Sequence, residues 1–528
     1  MKYPIGIQSF GQLISDGYVY VDKTDLIYQL VTSGKIYFLS RPRRFGKSLL
    51  VSTLKCYFQG RKELFKELAI DKLETEWAEY PVFHIDFNGD NFTKKGVLEQ
   101  KIETRISVWE GEYGKDERMV TLGDRFAYVL QQAHKRYGRR CVVLIDEYDK
   151  PILDVLDTGY KVTVDGKERL LEDWHREILK AFYSTFKLAD ADLQFVLLTG
   201  VTKFSQVSVF SGFNQPNDIS MDEQYETLCG ITQKELEHYF AGPIGELAKK
   251  YQTTTEGMLE MLKLRYDGYH FSSNLTDIYN PFSLLNAFAK KALRDYWFSS
   301  GTPTYLVRLL NHTQEDLNEL TGRYYRPEEF VDYKADVEKP LPMIYQSGYL
   351  TIKGYEPVYE RFLLDFPNNE VKNGFVSLIA SDYLKSKENM GNWVIDVVES
   401  LKHGDLEQLR KLFTSFLASI PYSMRTKKDE AEKERFFHYT LYLIFRLISV
   451  YTVYTEKEQS QGRADCIVET DGYIYIFEFK RDGTADEALA QIEAKGYARP
   501  YEADPRTLYK IGVNFSSETG TVEDWKTV

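Results

Sequence analysis

Ser40-Arg41-Pro42-Arg43-Arg44-Phe45-Gly46-Lys47-Ser48 follows the apolar run Ile36-Tyr37-Phe38-Leu39 and leads into Leu49-Leu50. An apolar run, a turn bearing Pro and Gly, and then helix formers predict a strand, a tight loop and a helix opening at Ser48. Gly46-Lys47-Ser48 reads as the working end of a P-loop. There, backbone N–H groups and the helix N-terminus cradle phosphate oxygens, Lys47 reaches the β/γ-phosphates, and the Ser48 hydroxyl suits Mg2+. The general pattern has a glycine five residues before Gly46, where this chain has Arg41. Arg41 implies less backbone freedom at the loop's entry and more side-chain charge near the nucleotide. A lone Gly-Lys-Ser is a weak signal, so the reading depends on partners elsewhere.

The strongest partner is Cys141-Val142-Val143-Leu144-Ile145-Asp146-Glu147-Tyr148-Asp149. A run of apolar residues ending in acids predicts a strand buried on both faces with carboxylates at its C-terminal edge. In a parallel α/β sheet that edge is where ligands sit. Asp146 suits Mg2+ coordination and Glu147 suits polarising the water that attacks the γ-phosphate. A third strand, Leu193 to Leu198, ends at Thr199-Gly200-Val201-Thr202, where Thr199 or Thr202 can hydrogen-bond the γ-phosphate or the water. The same residues also fit an ordinary strand ending. Lys203 and Ser205 lie just beyond, with Lys203 a candidate phosphate-facing charge. Arg43 and Arg44 can brace the nucleotide, brace a neighbouring subunit's phosphate in a homo-oligomer, or be solvated or acid-paired.

Around these, Gly17 to Thr24 reads as a short aromatic and β-branched strand, with Thr24 capping a helix. A segment just upstream of the loop strand can wall a base pocket. Pro81 to Phe87 reads as another strand, and helical periodicity fills 97–110 and 122–136. From about 216 the strand rhythm stops. Thr232 and Glu235 make a capping box, and helical patterns follow at 256–265, 281–294 and 303–311. His270 reads as a packed turn residue. Short strands are expected at Gly348 to Ile352 and Phe362 to Leu364, then helices to about 419. Pro421-Tyr422 and the run Lys427-Lys428-Asp429-Glu430 look like a boundary.

The last hundred residues hold a second constellation. A helix over 434–445 leads to a strand near 451–454, then to Arg463-Ala464-Asp465-Cys466 and Tyr473-Ile474-Tyr475-Ile476-Phe477-Glu478-Phe479-Lys480. The turn signal Asp471-Gly472 makes a hairpin of the last two segments and brings Asp465 near Glu478 and Lys480. The spacing of two puts Glu478 and Lys480 on one face of their strand. Two carboxylates, Asp465 and Glu478, can hold Mg2+ against a scissile phosphate, with Lys480 orienting or helping deprotonate the attacking water. Glu and Lys in the middle of an otherwise apolar strand are costly to bury without a task. Gln491 and Lys495 on the following helix, and Glu434 before the hairpin, are further candidates for the same pocket.

Composition bounds the function. The chain has 528 residues, 43% hydrophobic and 28% charged, and a net charge of −12, which predicts several ordinary cores and argues against a surface uniformly coated for DNA. Nucleic-acid contact would need a local basic groove or a metal bridging carboxylates to phosphate. The four cysteines are scattered, without a CxxC pair, and read as reduced buried thiols. No signal-peptide layout or membrane-length apolar run is present, so a cytoplasmic protein without a membrane partner is expected.

Residues up to about 300 resemble the bacterial AAA-ATPase-like family, close to archaeal-type and STAND-like P-loop ATPases. The resemblance rests on Tyr20-Val21-Asp22-Lys23-Thr24, Arg41 to Ser48, Leu144 to Asp149 and Thr199 to Ser205. That family writes its loop Arg-Pro-Arg-Arg-x-Gly-Lys-Ser, so Arg41 matches it. The C-terminal hundred residues are similar to the PD-(D/E)XK nuclease superfamily, Asp465 matching the metal-binding Asp and Glu478-x-Lys480 the E-x-K element; Ala464 stands where the superfamily's name has Pro. About 310–425 is without a match. The resemblances imply ATP and Mg2+ as cofactors, Arg43, Arg44, Gly46, Lys47, Ser48, Asp146 and Thr199 around the nucleotide, and a restriction-endonuclease-like fold cutting phosphodiesters.

The expected protein is therefore α/β. It has a P-loop ATPase core with a parallel sheet (1–215), a mainly helical lid (216–340), a mixed connecting region (341–425) and a nuclease-like α/β domain (426–528). The expected function is an ATP-binding, ATP-hydrolysing switch coupled to a Mg2+-dependent nuclease. The alternative is a nucleotide-regulated interaction or signalling module whose last domain binds a partner or nucleic acid without cleavage.

Overall fold

A computed structural model describes residues 1–204, 216–300, 320–331, 340–375, 390–419, 453–455, 458–459, 462–463, 465–516, 518–519 and 521–528. The expected helices at 303–311 and 434–445, with Glu434, the boundary at 421–430, Ala464 and Ser205 lie outside the described residues. Two compact units are present, Met1–Val371 and Lys372–Val528. Residues 341–371 thus lie in the first unit and 390–419 in the second.

The first unit is built on β1 (Ile36–Ser40), β2 (Val82–Asp86), β3 (Cys141–Asp146), β4 (Leu193–Gly200) and β5 (Asn217–Asp218), paired in parallel in the order β2-β3-β4-β1-β5. Every residue of β3 is buried, which is why its sequence is an unbroken apolar run rather than an alternation. Removing most of the Leu144 side chain from that layer would cost about 2–5 kcal/mol. Around the sheet stand α1 (Thr24–Ser33), α2 (Lys47–Phe58), α3 (Val97–Tyr113), α4 (Leu122–Tyr137) and α5 (Leu171–Tyr183). Phe83 of β2 meets Trp109 and Tyr113 of α3 and Phe126 of α4, and Phe126 stacks on Phe182 of α5. This aromatic cluster packs α3, α4 and α5 against β2, the edge strand of the sheet.

Gly17 to Thr24 does not form the expected strand. Val19 makes one backbone bond, to the Lys2 carbonyl, and Val19 and Val21 pack against a helical cluster instead. The β-branched residues there record side-chain burial, not a ladder. Thr24 is the first residue of α1 rather than its cap, and Asp22 Oδ1 accepts from both its N–H and its hydroxyl.

The helical cluster consists of α6 (Gln233–Lys250), α7 (Thr255–Tyr266) and α8 (Pro281–Lys290), packed through Leu236, Phe240, Met258, Leu262, Leu284 and Phe288. Thr232 and Glu235 form the expected reciprocal capping box, and Lys23 reaches Glu235 at 2.6 Å. His270 is held between the Ile352 carbonyl and Asp277, a packed turn residue. A small antiparallel sheet, β6 (Arg323–Tyr325), β7 (Thr351–Glu356) and β8 (Arg361–Asp365), also belongs to this unit, in the order β6-β8-β7.

The second unit holds α9 (Met390–His403), α10 (Leu406–Ser419) and a mixed sheet. Its strands are β9 (Val453–Thr455), β10 (Cys466–Glu469), β11 (Tyr473–Arg481), β12 (Thr507–Phe515) and β13 (Val522–Thr527), in that order. Only β11 and β12 run parallel, and α11 (Ala485–Lys495) crosses between them. Even-numbered β11 residues Ile474 and Ile476 pack with Ile492 of α11. On the opposite face, Tyr475 donates to the Leu401 carbonyl of α9, and Phe477 stacks on Phe413 of α10. Both faces are covered, so the strand reads as continuously apolar, and Glu478 and Lys480 continue the face beneath α11.

Cys56, Cys141, Cys229 and Cys466 are buried and free. Among the described residues no helix is long and apolar enough to cross a membrane.

Candidate nucleotide site and nuclease-like site

The loop after β1 turns sharply at Arg44 (φ 67°) and Gly46 (φ 97°) before α2 begins at Lys47. A Cβ on Gly46 would meet no atom, so its backbone angle rather than crowding calls for glycine there. Arg41 is not among the residues with left-handed backbone, so the position of the missing glycine has no need of one. The Arg41 side chain is buried and turned away from the loop. It donates to the carbonyls of Ser40, Ser220 and Tyr225 and lies 4.1 Å from the Phe271 ring centroid. Burial pulls its pKa below the ordinary value. The expectation of added charge beside the nucleotide is therefore corrected: Arg41 is a strut between the end of β1 and the segment 220–225.

A cleft of about 510 Å³ opens in front of the loop, lined by Arg43, Arg44, Gly46, Lys47, Ser48 and Glu147 and walled by residues 4–8, Phe282 and Trp297. That volume falls within the range of small-molecule sites. Lys47 Nζ is buried and donates to the Arg41 and Pro42 carbonyls at 3.0 and 3.3 Å, while Glu147 Oε1 stands 3.8 Å away. The opposed charges of the loop and the β3 end thus meet in one place. Ser48 lines the cleft one residue into α2.

Since β4 lies between β1 and β3, Thr199 at its end stands beside Asp146. Its hydroxyl donates to Asp146 Oδ1 at 2.5 Å, and the Glu147 N–H reaches the same oxygen at 3.1 Å. Thr199 and Asp146 are both buried, so the structure brings Thr199 to Asp146 and not to the cleft wall. Glu147 has φ 53°, an unusual conformation for a non-glycine residue. Burial, reinforced by the neighbouring Asp149 and Asp146, pushes its carboxyl above the ordinary value against the pull of Lys47.

Thr202 and Lys203 lie elsewhere. Thr202 gives its N–H and hydroxyl to Asp149 Oδ2, and Lys203 pairs with Asp218. Asp149 also takes the Val201 N–H, and Tyr148 donates to the Thr202 carbonyl. These two residues tie the end of β3 to the turn after β4. A Cβ on Gly200 would come within 2.7 Å of the Tyr148 ring, which explains the glycine. Arg44 lies over the Phe282 ring at 5.0 Å. Trp297 Nε1 donates to the Arg43 carbonyl at 2.9 Å, and its backbone N–H to Glu370. Trp297 and residues 4–8 carry no local sequence signal of this role. Asp149 does, as the last acid of the β3 run.

In the second unit Asp465 Oδ2 accepts the Phe479 N–H at 2.9 Å, which pins it beside Glu478. Glu478 is 1% exposed, its Oε2 has no hydrogen-bond partner, and its Oε1 lies 3.4 Å from Lys480 Nζ. Burial, then the Asp465 charge, push its carboxyl up to about 7. Lys480 Nζ donates to Gln491 Oε1 at 2.5 Å, whereas Lys495 is exposed at the end of α11. An orphaned buried carboxylate oxygen beside a second carboxylate fits a divalent cation, which would neutralise both. No third His, Cys, Asp or Glu joins them among the described residues, so a cation here would complete its shell with water, backbone or phosphate oxygen.

A family model described as "Predicted AAA-ATPase" matches residues 4–210, and one described as "PD-(D/E)XK nuclease superfamily" matches residues 432–525. The chain is 35% identical over 527 residues to an uncharacterized protein in the vnfD 5′ region of Azotobacter chroococcum mcd 1, an alignment covering 99% of this chain and 98% of that one.

Proposed function

From the chain's membership of the AAA-ATPase-like family that carries a C-terminal PD-(D/E)XK nuclease superfamily domain, we propose that it is an ATP-hydrolysing switch governing a Mg2+-dependent nuclease. The observation that carries the first half is the meeting of Lys47, Ser48 and Glu147 in one cleft at the C-terminal edge of the parallel sheet. Lys47 would leave the Arg41 and Pro42 carbonyls for the β/γ-phosphates. Ser48 and Asp146, the latter held by Thr199, would carry Mg2+. Glu147 would polarise the attacking water. Arg43 and Arg44 would flank the phosphates, and the helical cluster of α6, α7 and α8 would act as the lid.

The second half rests on Asp465, Glu478 and Lys480. Both carboxylates would hold the cation, and Lys480, steadied by Gln491, would orient the water. A bound Mg2+ supplies polarisation of the scissile phosphate and a more acidic water. Nucleic acid is the proposed substrate, and the cytoplasm the proposed compartment.

ATP hydrolysis and plasmid or RNA cleavage by wild type, Lys47→Ala and Asp465→Ala test both halves. Tight ATP binding by Lys47→Ala would end the nucleotide-site reading. Failure to cut DNA or RNA with Mg2+ or Mn2+, with no effect of Asp465→Ala, would end the nuclease reading. A second reading, a nucleotide-regulated module that binds without cutting, draws on the net charge of −12. Calorimetric Mn2+ titration separates them, since the enzyme requires metal binding that Asp465→Ala abolishes.

A further inference from the structure

The nucleotide cleft contains one more cation with a partner it can exchange. Lys150 follows the Asp146 to Asp149 run, and its N–H donates to the Glu147 carbonyl at 3.0 Å. This turn returns the chain to the cleft wall after Tyr148 and Asp149 have been buried, so Lys150 lines the same cleft as Lys47, Ser48 and Glu147. Lys150 Nζ pairs with Asp154 at 2.8 and 3.0 Å, one helical turn on. Asp154 lines the cleft too, and the two side chains retain 28% and 24% of their exposure.

A partly solvated pair at this spacing contributes little to stability, so it is cheap to break. A phosphate offers a stronger, charge-assisted partner than a single, partly solvated carboxylate. Of the other cations near the loop, Lys47 is held on the loop carbonyls, Arg44 lies over Phe282 and Arg41 behind the strand, while Arg43 lines the same cleft as Lys150. Lys150 is bonded through its backbone to Glu147, the residue read as acting on the terminal phosphate. Lys150 and Glu147 thus share one stretch of the cleft wall.

We propose that Lys150 reads the γ-phosphate, leaving Asp154 for it when a nucleoside triphosphate binds and so making the site favour triphosphate over diphosphate. This rests on the reading of the cleft as a nucleotide site. The test is calorimetry on the full chain with Mg2+, using a non-hydrolysable ATP analogue and ADP as the two probes. Wild type is expected to bind the analogue more tightly than ADP. Lys150→Met should lose about tenfold of that preference by weakening the analogue alone, with ADP affinity unchanged. Lys150→Gln should behave like it, and Lys150→Arg should keep most of the preference.

An unchanged ratio in both Met and Gln variants would overturn the proposal while leaving the nucleotide site standing. Equal loss of ADP and analogue affinity would also overturn it, since it would mark a general charge or folding effect. In Lys150→Met/Asp154→Asn, the preference should stay lost. Its recovery would show that Lys150 merely neutralises Asp154, and would overturn a direct phosphate contact. A wild type that binds neither probe would instead remove the nucleotide-site reading, and this inference with it.

Discussion

Replacing Glu478 by Gln should stabilise the C-terminal unit at alkaline pH and leave it unchanged in acid. In the folded chain this carboxyl titrates near 7 against an ordinary 4.5, because burial, and then Asp465, penalise its charge. The folded state therefore holds a proton that the unfolded chain has already released, so stability falls as pH rises from about 4.5 to about 7 and stays low above it. That gap corresponds to at most about 3 kcal/mol. The amide has the shape of the carboxyl without its charge, so the Glu478→Gln variant should gain up to this amount at pH 8 and nothing at pH 4. In a unit of this size each kcal/mol moves Tm by about 2–4 °C, so the expected rise is of the order of 5–10 °C. Scanning calorimetry of the full chain, following the transition assigned to the second unit, reads it directly. Mn2+ at a hundredfold excess over its Kd should return about 2.7 kcal/mol to wild type at pH 8 and far less to Glu478→Gln. A variant less stable than wild type at pH 8, or a difference that does not shrink in acid, would refute the reasoning.

Three other substitutions probe the first unit. Thr199→Val removes the hydroxyl that holds Asp146 and should lower Mg2+-dependent ATP turnover about 10–100-fold, with Thr199→Ser close to wild type in the same assay. Arg41→Gly would supply the general P-loop glycine yet strip donors from three carbonyls that are buried or half-buried. A loss of about 3 kcal/mol is expected in denaturant melts, with a smaller change in ATP affinity than Lys47→Ala shows. Trp297→Phe keeps the ring against Tyr349 but deletes the bond to the Arg43 carbonyl. It should weaken ATP binding by roughly 3- to 10-fold in titration calorimetry, in line with about 0.5–1.5 kcal/mol for one hydrogen bond.

Legibility followed burial. Strands β3 and β11 are covered on both faces, so their apolar runs stand out, and the polar residues that break or end them, Asp146, Glu147, Glu478 and Lys480, were readable as candidates for a site. The capping box at Thr232 is local chemistry and was equally plain. Gly17 to Thr24 misled because its aromatic and β-branched residues pack on helices rather than on a strand partner. Arg41 misled in direction: its neighbours Ser220, Tyr225 and Phe271 come from far along the chain, and nothing near residue 41 indicates which way the guanidinium turns. Trp297 and the wall at residues 4–8 were hidden for the same reason. The bond of Thr199 to Asp146 depends on strand order, with β4 between β1 and β3, and strand order is a long-range property.

The grip of Lys47 on the Arg41 and Pro42 carbonyls has a kinetic meaning. The loop supplies its own internal competitor for the lysine, which a nucleotide entering the proposed site would have to displace. Apparent affinity is then the intrinsic affinity scaled by the fraction of molecules in which the ammonium is released. Nucleotide capture should accordingly saturate with concentration, at a ceiling set by the rate of that release rather than by diffusion.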